Sequence, residues 1–182
     1  MIYPDQFIPV LEKNGYVIDV DNFIWNKVCA CIKMMEDKGI EPVPISVNVS
    51  RMHVYQEKFT ENLKNMAGEY GIDPKYIPLE ITEGAFTKEE GSLFKKVQSL
   101  QGYGFKFSMD DFGSGYSSLG MLKSERVDEV KIDKTFVDDI ATDKGKVLLG
   151  NVIRMINELG IDMIAEGVET KEQADFLKEN GC

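Results

Sequence analysis

The sequence has few basic residues for its length. It contains 21 lysines and arginines against 31 aspartates and glutamates, a formal net charge of -10 at pH 7. DNA, RNA and anionic membranes are bound through basic surfaces, so this balance argues against a nucleic-acid polymer or a membrane as a partner. A small substrate that carries phosphate is still compatible with the charge, provided that metal ions reverse it locally.

Long apolar runs are absent as well. No stretch approaches the ~20 apolar residues of a transmembrane helix, and no basic-then-apolar leader follows Met1. We therefore expect a soluble, cytoplasmic segment without membrane contact. With 182 residues and 43% hydrophobic content, the chain can form one substantial core but not two full-sized domains. We expect a single domain over residues 1–182.

Cysteine and histidine are scarce. The cysteines are Cys29, Cys31 and Cys182, an odd number, and the first two are spaced so that they point to different faces of a helix. We expect reduced, structural thiols in a cytosolic protein. The only histidine, His53, follows a predicted strand, which favours a surface or packing residue. Zinc chemistry based on histidine is therefore not expected.

The chain does contain a regular alternation of helices and strands. Five strands are predicted, spaced 23 to 34 residues apart and centred near Val47, Leu79, Phe107, Val130 and Ile164. That spacing leaves room for a helix and two turns, which requires parallel strands covered by helices, so the predicted class is α/β. Helical patterns are found over residues 19–38, 56–70, 87–102, 117–123, 146–159 and 170–179.

Polar side chains lie at or near the carboxyl end of each predicted strand. In parallel α/β folds these strand ends share one rim, which in barrels is the catalytic face. Four or more carboxylates brought together there would repel one another unless a cation neutralised them. Oxygen ligands that include an asparagine indicate a hard cation, Mg²⁺ or Mn²⁺ before Zn²⁺. The residues are Asn48, Glu80, Glu83, Asp110, Asp111, Lys131, Asp133, Glu166 and Glu169.

The adjacent pair Asp110 and Asp111 suggests a specific chemistry. At a strand end the backbone can turn so that both carboxylates reach two metal ions about 3.5 to 4 Å apart, an arrangement suited to phosphodiester hydrolysis. Lys131 would then orient the attacking water or screen the phosphate charge. Alone, an Asp-Asp dipeptide is typical of a helix cap or a solvated turn. Five such features on five successive strand ends favour the catalytic interpretation.

Five ordered segments resemble the motifs of one known family. SVNVS, LEITE, MDDFGSGYSSLG, VKIDKTFV and AEGVET are similar, in order and spacing, to the EAL domain, the cyclic di-GMP-specific phosphodiesterase of bacterial signalling. PDQFIPVLEKNG resembles the segment between the family's first strand and the following helix. The resemblance covers essentially the whole chain. It implies a modified (β/α)8 TIM-like barrel, cyclic di-GMP as the ligand and a homodimer.

The resemblance also implies roles for the residues around the metal ions. Asn48, Glu80 and Asp110 look like metal ligands, with Asp110 bridging to a second metal that Asp111 also binds. Lys131 resembles the residue beside the nucleophilic water. Glu166 resembles a further acidic residue that is essential to metal-dependent catalysis.

A second group of residues is expected to support the loop after the Asp pair. Glu83 resembles the glutamate that anchors this loop, residues 112–119, which couples substrate and metal binding to dimerisation. Asp133 and Glu169 are expected to hold the metal-binding residues in place without binding the metal ions themselves. The loop itself contributes Gly113, Ser114 and Gly115.

Two motifs of the family lie outside the sequence. The Glu-Ala-Leu segment, with a metal-ligating glutamate and a nearby substrate-binding arginine, would precede Pro4, and a Gln-Gly segment would follow Cys182. A barrel without its opening and closing strands leaves unpaired edges. We therefore expect a partial EAL-type domain, incomplete at both ends in this chain.

Three functions are compatible with these residues. The leading hypothesis is hydrolysis of cyclic di-GMP to linear pGpG, dependent on Mg²⁺ or Mn²⁺. The second is a receptor that binds cyclic di-GMP without cleaving it, although such receptors usually lack ligand motifs that are intact here. The third, from residue chemistry alone, is an enolase-type barrel in which Lys131 is a base and Mg²⁺ stabilises an enediolate. The motif match argues against this third function.

Overall fold

The computed structural model describes residues 2–85, 90–113, 122 and 127–182. The chain forms two compact units. The first unit comprises Met1–Ile81 and Lys88–Lys106, and the second comprises Thr82–Thr87 and Phe107–Cys182. Both units consist of helices and parallel strands, as the α/β prediction requires.

The first unit holds most of the long helices. Its strands β1 and β2 are parallel, with Val47 opposite Leu79 and Asn48 opposite Glu80. A short 3₁₀ turn, Pro74–Tyr76, leads into β2. The elements are α1 (Pro4–Asn14), α2 (Val17–Asp37), β1 (Val47–Asn48), α3 (Arg51–Val54), α4 (Phe59–Tyr70), β2 (Leu79–Thr82, whose last residue is assigned to the second unit) and α5 (Glu90–Gln101).

Helix α2 supplies the core of the first unit. Its buried residues recur every three or four positions, which places them on one face of the helix. That face packs against α3 and α4. The buried residues are Val17, Asp21, Trp25, Cys29 and Ile32, so one carboxylate lies among apolar side chains.

The second unit is built on three parallel strands, with β4 between β3 and β5. Helix α7 buries Leu149, Ile153 and Ile156 and packs against β5 and α6. A 3₁₀ turn, Glu83–Ala85, belongs to this unit, and another, Asp139–Ala141, joins α6 to α7. The elements are β3 (Phe107–Phe112), β4 (Glu129–Ile132), α6 (Lys134–Asp138), α7 (Asp143–Glu158), β5 (Asp162–Ala165) and α8 (Lys171–Glu179).

The five predicted strands are present, and five predicted helices are present with shifted ends. The patterns at 19–38, 56–70, 87–102, 146–159 and 170–179 correspond to α2, α4, α5, α7 and α8. The predicted helix 117–123 lies outside the described residues except for Leu122. Three helices were not predicted, namely α1, α3 and α6.

Taken unit by unit, the described strands form open sheets. The first unit has a parallel pair and the second has three parallel strands, and neither set closes on itself within the described residues. None of the helices in the described part of the chain combines the length and apolar character needed to cross a bilayer. Cys29, Cys31 and Cys182 are free thiols, and burial raises the pKa of Cys29 to about 11.

Candidate functional site

In the first unit the structure brings two predicted ligands side by side. Asn48 ends β1 and is the register partner of Glu80 on β2. Paired residues on adjacent strands share a face of the sheet, so the amide and the carboxylate project from the same side. Asn48 is exposed and Glu80 is half-buried, which leaves Asn48 accessible to a ligand.

In the second unit the Asp pair lies in a β-bulge. Met109 pairs with Val130 and Phe112 pairs with Ile132, so Asp110 and Asp111 together lie opposite the single residue Lys131. A bulge of this kind interrupts the alternation of side chains and redirects them. Asp111 has a left-handed backbone, with φ of 56°, a conformation that aspartate tolerates better than most residues. Its N–H donates to Asp110 Oδ1 at 3.1 Å.

Lys131 joins two of the predicted site residues. Its Nζ lies 3.0 Å from Asp110 Oδ1 and 2.7 Å from Glu166 Oε1. The lysine and Asp110 side chains are 12% and 14% exposed, whereas Glu166 is 41% exposed. Glu166 directly follows β5, and a backbone hydrogen bond fixes its position, because its N–H donates to Ile132 O at 3.0 Å.

Among the described residues, negative charge exceeds positive charge around Asp111. Burial raises the pKa of Asp111, and the neighbouring carboxylates Asp110, Asp133 and Glu166 raise it further. Lys131 acts in the opposite direction but does not cancel these effects. Four carboxylates therefore interact with one ammonium group, which is the excess of negative charge that a divalent cation would neutralise.

The donors match a hard cation. Asparagine and carboxylate oxygens are the ligands that Mg²⁺ and Mn²⁺ prefer. Within the described residues, no group of three or more histidine, cysteine, aspartate or glutamate side chains is arranged to hold a metal ion. The carboxylate excess around Asp111 is the structural feature that fits a metal, and two of the surrounding carboxylates, Asp110 and Glu166, pair with Lys131.

Glu83 contacts the start of the predicted loop. It is buried, and its Oε2 accepts a hydrogen bond from the Gly113 N–H at 3.2 Å. Gly113 has φ of 97°, and a Cβ atom there would collide with the Phe136 ring. The glutamate and the ring together fix the chain where it leaves β3. Ser114 and Gly115 lie outside the described residues.

Asp133 and Glu169 support the backbone around α6. Asp133 Oδ1 caps this helix by accepting from the N–H and the hydroxyl of Thr135. Glu169 Oε1 lies 3.0 Å from Lys134 Nζ, which also pairs with Asp138 at 3.1 Å. These contacts hold the segment that follows Lys131 and the segment that follows Glu166.

Two further residues emerged only from the structure. Lys134 links Glu169 to Asp138, and nothing in its helical motif distinguished it from a surface lysine. Trp25 donates from Nε1 to the carbonyl of Asn48 at 3.0 Å. The sequence feature that could have indicated the contact of Trp25 with Asn48 is Asp21, a charged residue one turn before Trp25 on an otherwise apolar helix face.

The chain belongs to the EAL domain family, whose profile matches residues 1–182. The signaling protein YkoW of Bacillus subtilis is 34% identical over 180 residues, which are 98% of this chain and 22% of that protein. The cyclic di-GMP phosphodiesterase NbdA of Pseudomonas aeruginosa is 30% identical over 183 residues, 100% of this chain and 23% of that protein. The chain thus spans about a quarter of the length of these curated relatives.

The fold is shared with solved EAL domains. The PaMucR phosphodiesterase, solved in complex with c-di-GMP, aligns with a TM-score of 0.90 at 29% identity, over 100% of this chain and 74% of that chain. The FimX EAL domain aligns at 0.91 with 19% identity, which bears on the fold alone. EAL domains are TIM-barrel-like, so the predicted fold class is confirmed.

Proposed function

We propose that this chain is the catalytic part of a phosphodiesterase that hydrolyses cyclic di-GMP to linear pGpG with Mg²⁺ or Mn²⁺. The observation that carries the proposal is Lys131, ion-paired with both Asp110 and Glu166 opposite the bulge that contains the Asp pair. Family membership supports the substrate, because NbdA and PaMucR are named as phosphodiesterases and PaMucR was solved with c-di-GMP.

Each unit has its own pair of proposed metal ligands. Asp110 and Asp111 supply carboxylates from the bulge, and Asn48 and Glu80 supply an amide and a carboxylate from paired strand ends. Divalent cations held by these residues would supply a hydroxide at neutral pH and would stabilise the leaving oxygen. They also reverse the local charge, which an anionic dinucleotide requires in a chain of net charge -10.

The proposed reaction breaks one phosphorus–oxygen bond. A water oxygen attacks one phosphorus of the ring, the bond from that phosphorus to the 3′ oxygen breaks, and the 3′ oxygen takes up a proton. The new 5′ phosphate makes the product linear pGpG. Lys131, fixed between Asp110 and Glu166, orients the attacking water and offsets charge on the phosphate.

The other predicted residues are proposed to hold the catalytic ones in place. Glu83 holds the chain at Gly113, and Ser114 and Gly115 come next in the sequence. Asp133 and Glu169 fix the backbone beside Lys131 and Glu166. A homodimer, implied by the family resemblance alone, and a cytoplasmic location, expected from the sequence, stay predictions.

Replacing Lys131 tests this proposal. We expect Lys131→Gln to lower kcat by about 100-fold or more with Mn²⁺, within the range for a group that positions or transfers a proton. The matched control is Lys146→Gln, which removes an exposed lysine paired with Glu172 at 3.3 Å. Full turnover in Lys131→Gln, measured by chromatography of pGpG, would contradict the proposed role.

A further inference from the structure

A buried polar cluster lies at the carboxyl end of β1 in the first unit. Asp21 Oδ2 accepts two hydrogen bonds from Ser50, one from its N–H at 3.1 Å and one from its hydroxyl at 2.6 Å. The same oxygen is hydrogen-bonded to His53 Nδ1 at 3.2 Å. Asp21 is 7% exposed and His53 is 1% exposed. The cluster ties α2 to the turn that begins α3, because Ser50 is also the N-cap of that helix.

Trp25 extends this cluster to Asn48. Its indole stacks on the His53 ring, with centroids 4.3 Å apart and an angle of 12° between the planes. Phe59 packs against both rings, at 6.3 Å from Trp25 and 5.8 Å from His53. The indole is therefore held on several sides, and its Nε1 donates to the Asn48 carbonyl at 3.0 Å.

The position of this hydrogen bond matters because β1 is short. The strand contains two residues, and it bonds to β2 through Val47 N–H to Pro78 O and Val49 N–H to Glu80 O, both at 2.9 Å. Peptide groups alternate in direction along a strand, so those of Asn48 face away from β2. Val47 and Val49 are therefore held by hydrogen bonds to β2, whereas Asn48 between them is held by the indole of Trp25.

We propose that Trp25, stacked on the His53 ring that Asp21 holds, is a positioning residue that orients Asn48 as a metal ligand. The hydrogen bond fixes the backbone of Asn48, while its side chain stays exposed for a cation. Groups that orient a ligand in this way govern metal affinity as well as activity. The inference rests on the proposed function, since it assumes that Asn48 binds metal.

Metal binding to a Trp25 variant tests the inference. Trp25→Phe keeps an aromatic ring beside His53 and removes the N–H donor. We expect Mn²⁺ to bind Trp25→Phe about tenfold more weakly by calorimetry, at the low end of the range for a group that orients a ligand. Ile32→Val is the matched control, because it trims a fully buried side chain on the same face of α2, two helical turns from Trp25, without removing a bond to Asn48. It should lower the Tm and leave Mn²⁺ affinity unchanged.

The wild-type protein provides a second measurement that does not depend on the folding of a variant. Trp25 is the only tryptophan in the chain, so its fluorescence reports on the indole directly. Titration with Mg²⁺ should shift this emission with the same saturation as the calorimetric binding, and Asn48→Ala should abolish the shift. Metal binding without any change in Trp25 emission would overturn the inference.

The failures of the two proposals are distinguishable. Equal Mn²⁺ affinity in the wild type and Trp25→Phe would refute the positioning role and leave the phosphodiesterase proposal standing. An equal loss of affinity in Trp25→Phe and Ile32→Val would show general loosening of the core and would also refute it. A folded wild-type protein that binds neither Mn²⁺ nor Mg²⁺ would overturn both proposals.

Discussion

Among single residues, Asp111 combines two features that an ordinary strand residue lacks. It has a left-handed backbone in the β3 bulge, and its pKa is raised by burial and by three nearby carboxylates. Residues of this kind persist where a function requires them, because the fold alone would favour a neutral side chain. The sequence identified the Asp pair. The bulge could not be predicted, because it depends on the register between β3 and β4, which no local sequence pattern indicates.

Neutralising Asp111 should stabilise the metal-free protein and abolish its activity. Asparagine tolerates the same left-handed backbone and carries no charge. We expect Asp111→Asn to raise the Tm by about 2 to 4 °C, the shift that ~1 kcal/mol gives in a protein of this size. Thermal denaturation in a chelating buffer measures the shift.

Asp73→Asn is the control for this prediction. Asp73 is an exposed aspartate whose pKa is lowered by hydrogen bonds with Lys75, so removing its charge should bring no gain in Tm. A lower Tm in Asp111→Asn, or turnover equal to that of the wild type, would contradict the account of Asp111.

For whole elements, burial decides what the sequence could predict. Helices α2 and α7 bury a regular apolar face and were predicted to within a few residues. Helix α1 buries none of its described side chains and contains Pro4 and Pro9, so it has neither a clear core face nor a favourable composition. Helix α6 has five residues, too few for a periodic pattern. The visible signal for α6 was its cap, Asp133.

Gly113, the residue directly after β3, should not accept a side chain. Gly113→Ala places a non-glycine residue at φ of 97° and drives its Cβ into the Phe136 ring. We expect a loss of about 2 to 5 kcal/mol, the sum of backbone strain and overpacking. Urea denaturation measures the loss.

Gly39→Ala separates the two causes. Gly39 has φ of 69°, and among the described residues, apart from its chain neighbours, no atom lies within 4 Å of its expected Cβ, so this variant carries the backbone strain alone. Its cost should be about 1 to 2 kcal/mol. Equal costs for the two variants would mean that Phe136 moves freely and does not hold the chain after β3.

For the whole molecule, the order of the strands predicted which residues would lie near one another at the strand ends, but not which atoms each side chain would contact. Placing polar residues at the ends of parallel strands was enough to pair Asn48 with Glu80 and to bring Lys131 to Asp110. The cap made by Asp133 and the bond from Trp25 to Asn48 depend on side-chain packing between elements. Such packing leaves no periodic signal in one sequence.

Metal ions should stabilise the protein more at neutral than at acidic pH. Because the folded pKa of Asp111 is raised, its stabilising contribution is present below the unfolded pKa and is lost as pH rises through the folded value. A bound cation replaces the lost proton, so Mg²⁺ should raise the Tm most when Asp111 is ionised. At mildly acidic pH, protons compete with the metal and the gain should shrink.

Thermal denaturation at neutral and at mildly acidic pH, with and without Mg²⁺, measures how the gain in Tm depends on pH. Sodium chloride at matched ionic strength is the control, because it screens the net charge without binding the carboxylates. A gain in Tm that is equal at both pH values, or larger in acid, would contradict metal binding at Asp111.

Incubation with cyclic di-GMP and Mn²⁺ in water labelled with heavy oxygen is the most direct test of the proposed hydrolysis at phosphorus. We expect pGpG with one labelled oxygen on its 5′ phosphate, formed only when metal is present and lost in Asp110→Asn. A folded protein that binds the cyclic dinucleotide together with Mn²⁺ and yet leaves it uncleaved would refute the proposed hydrolysis and identify a receptor instead.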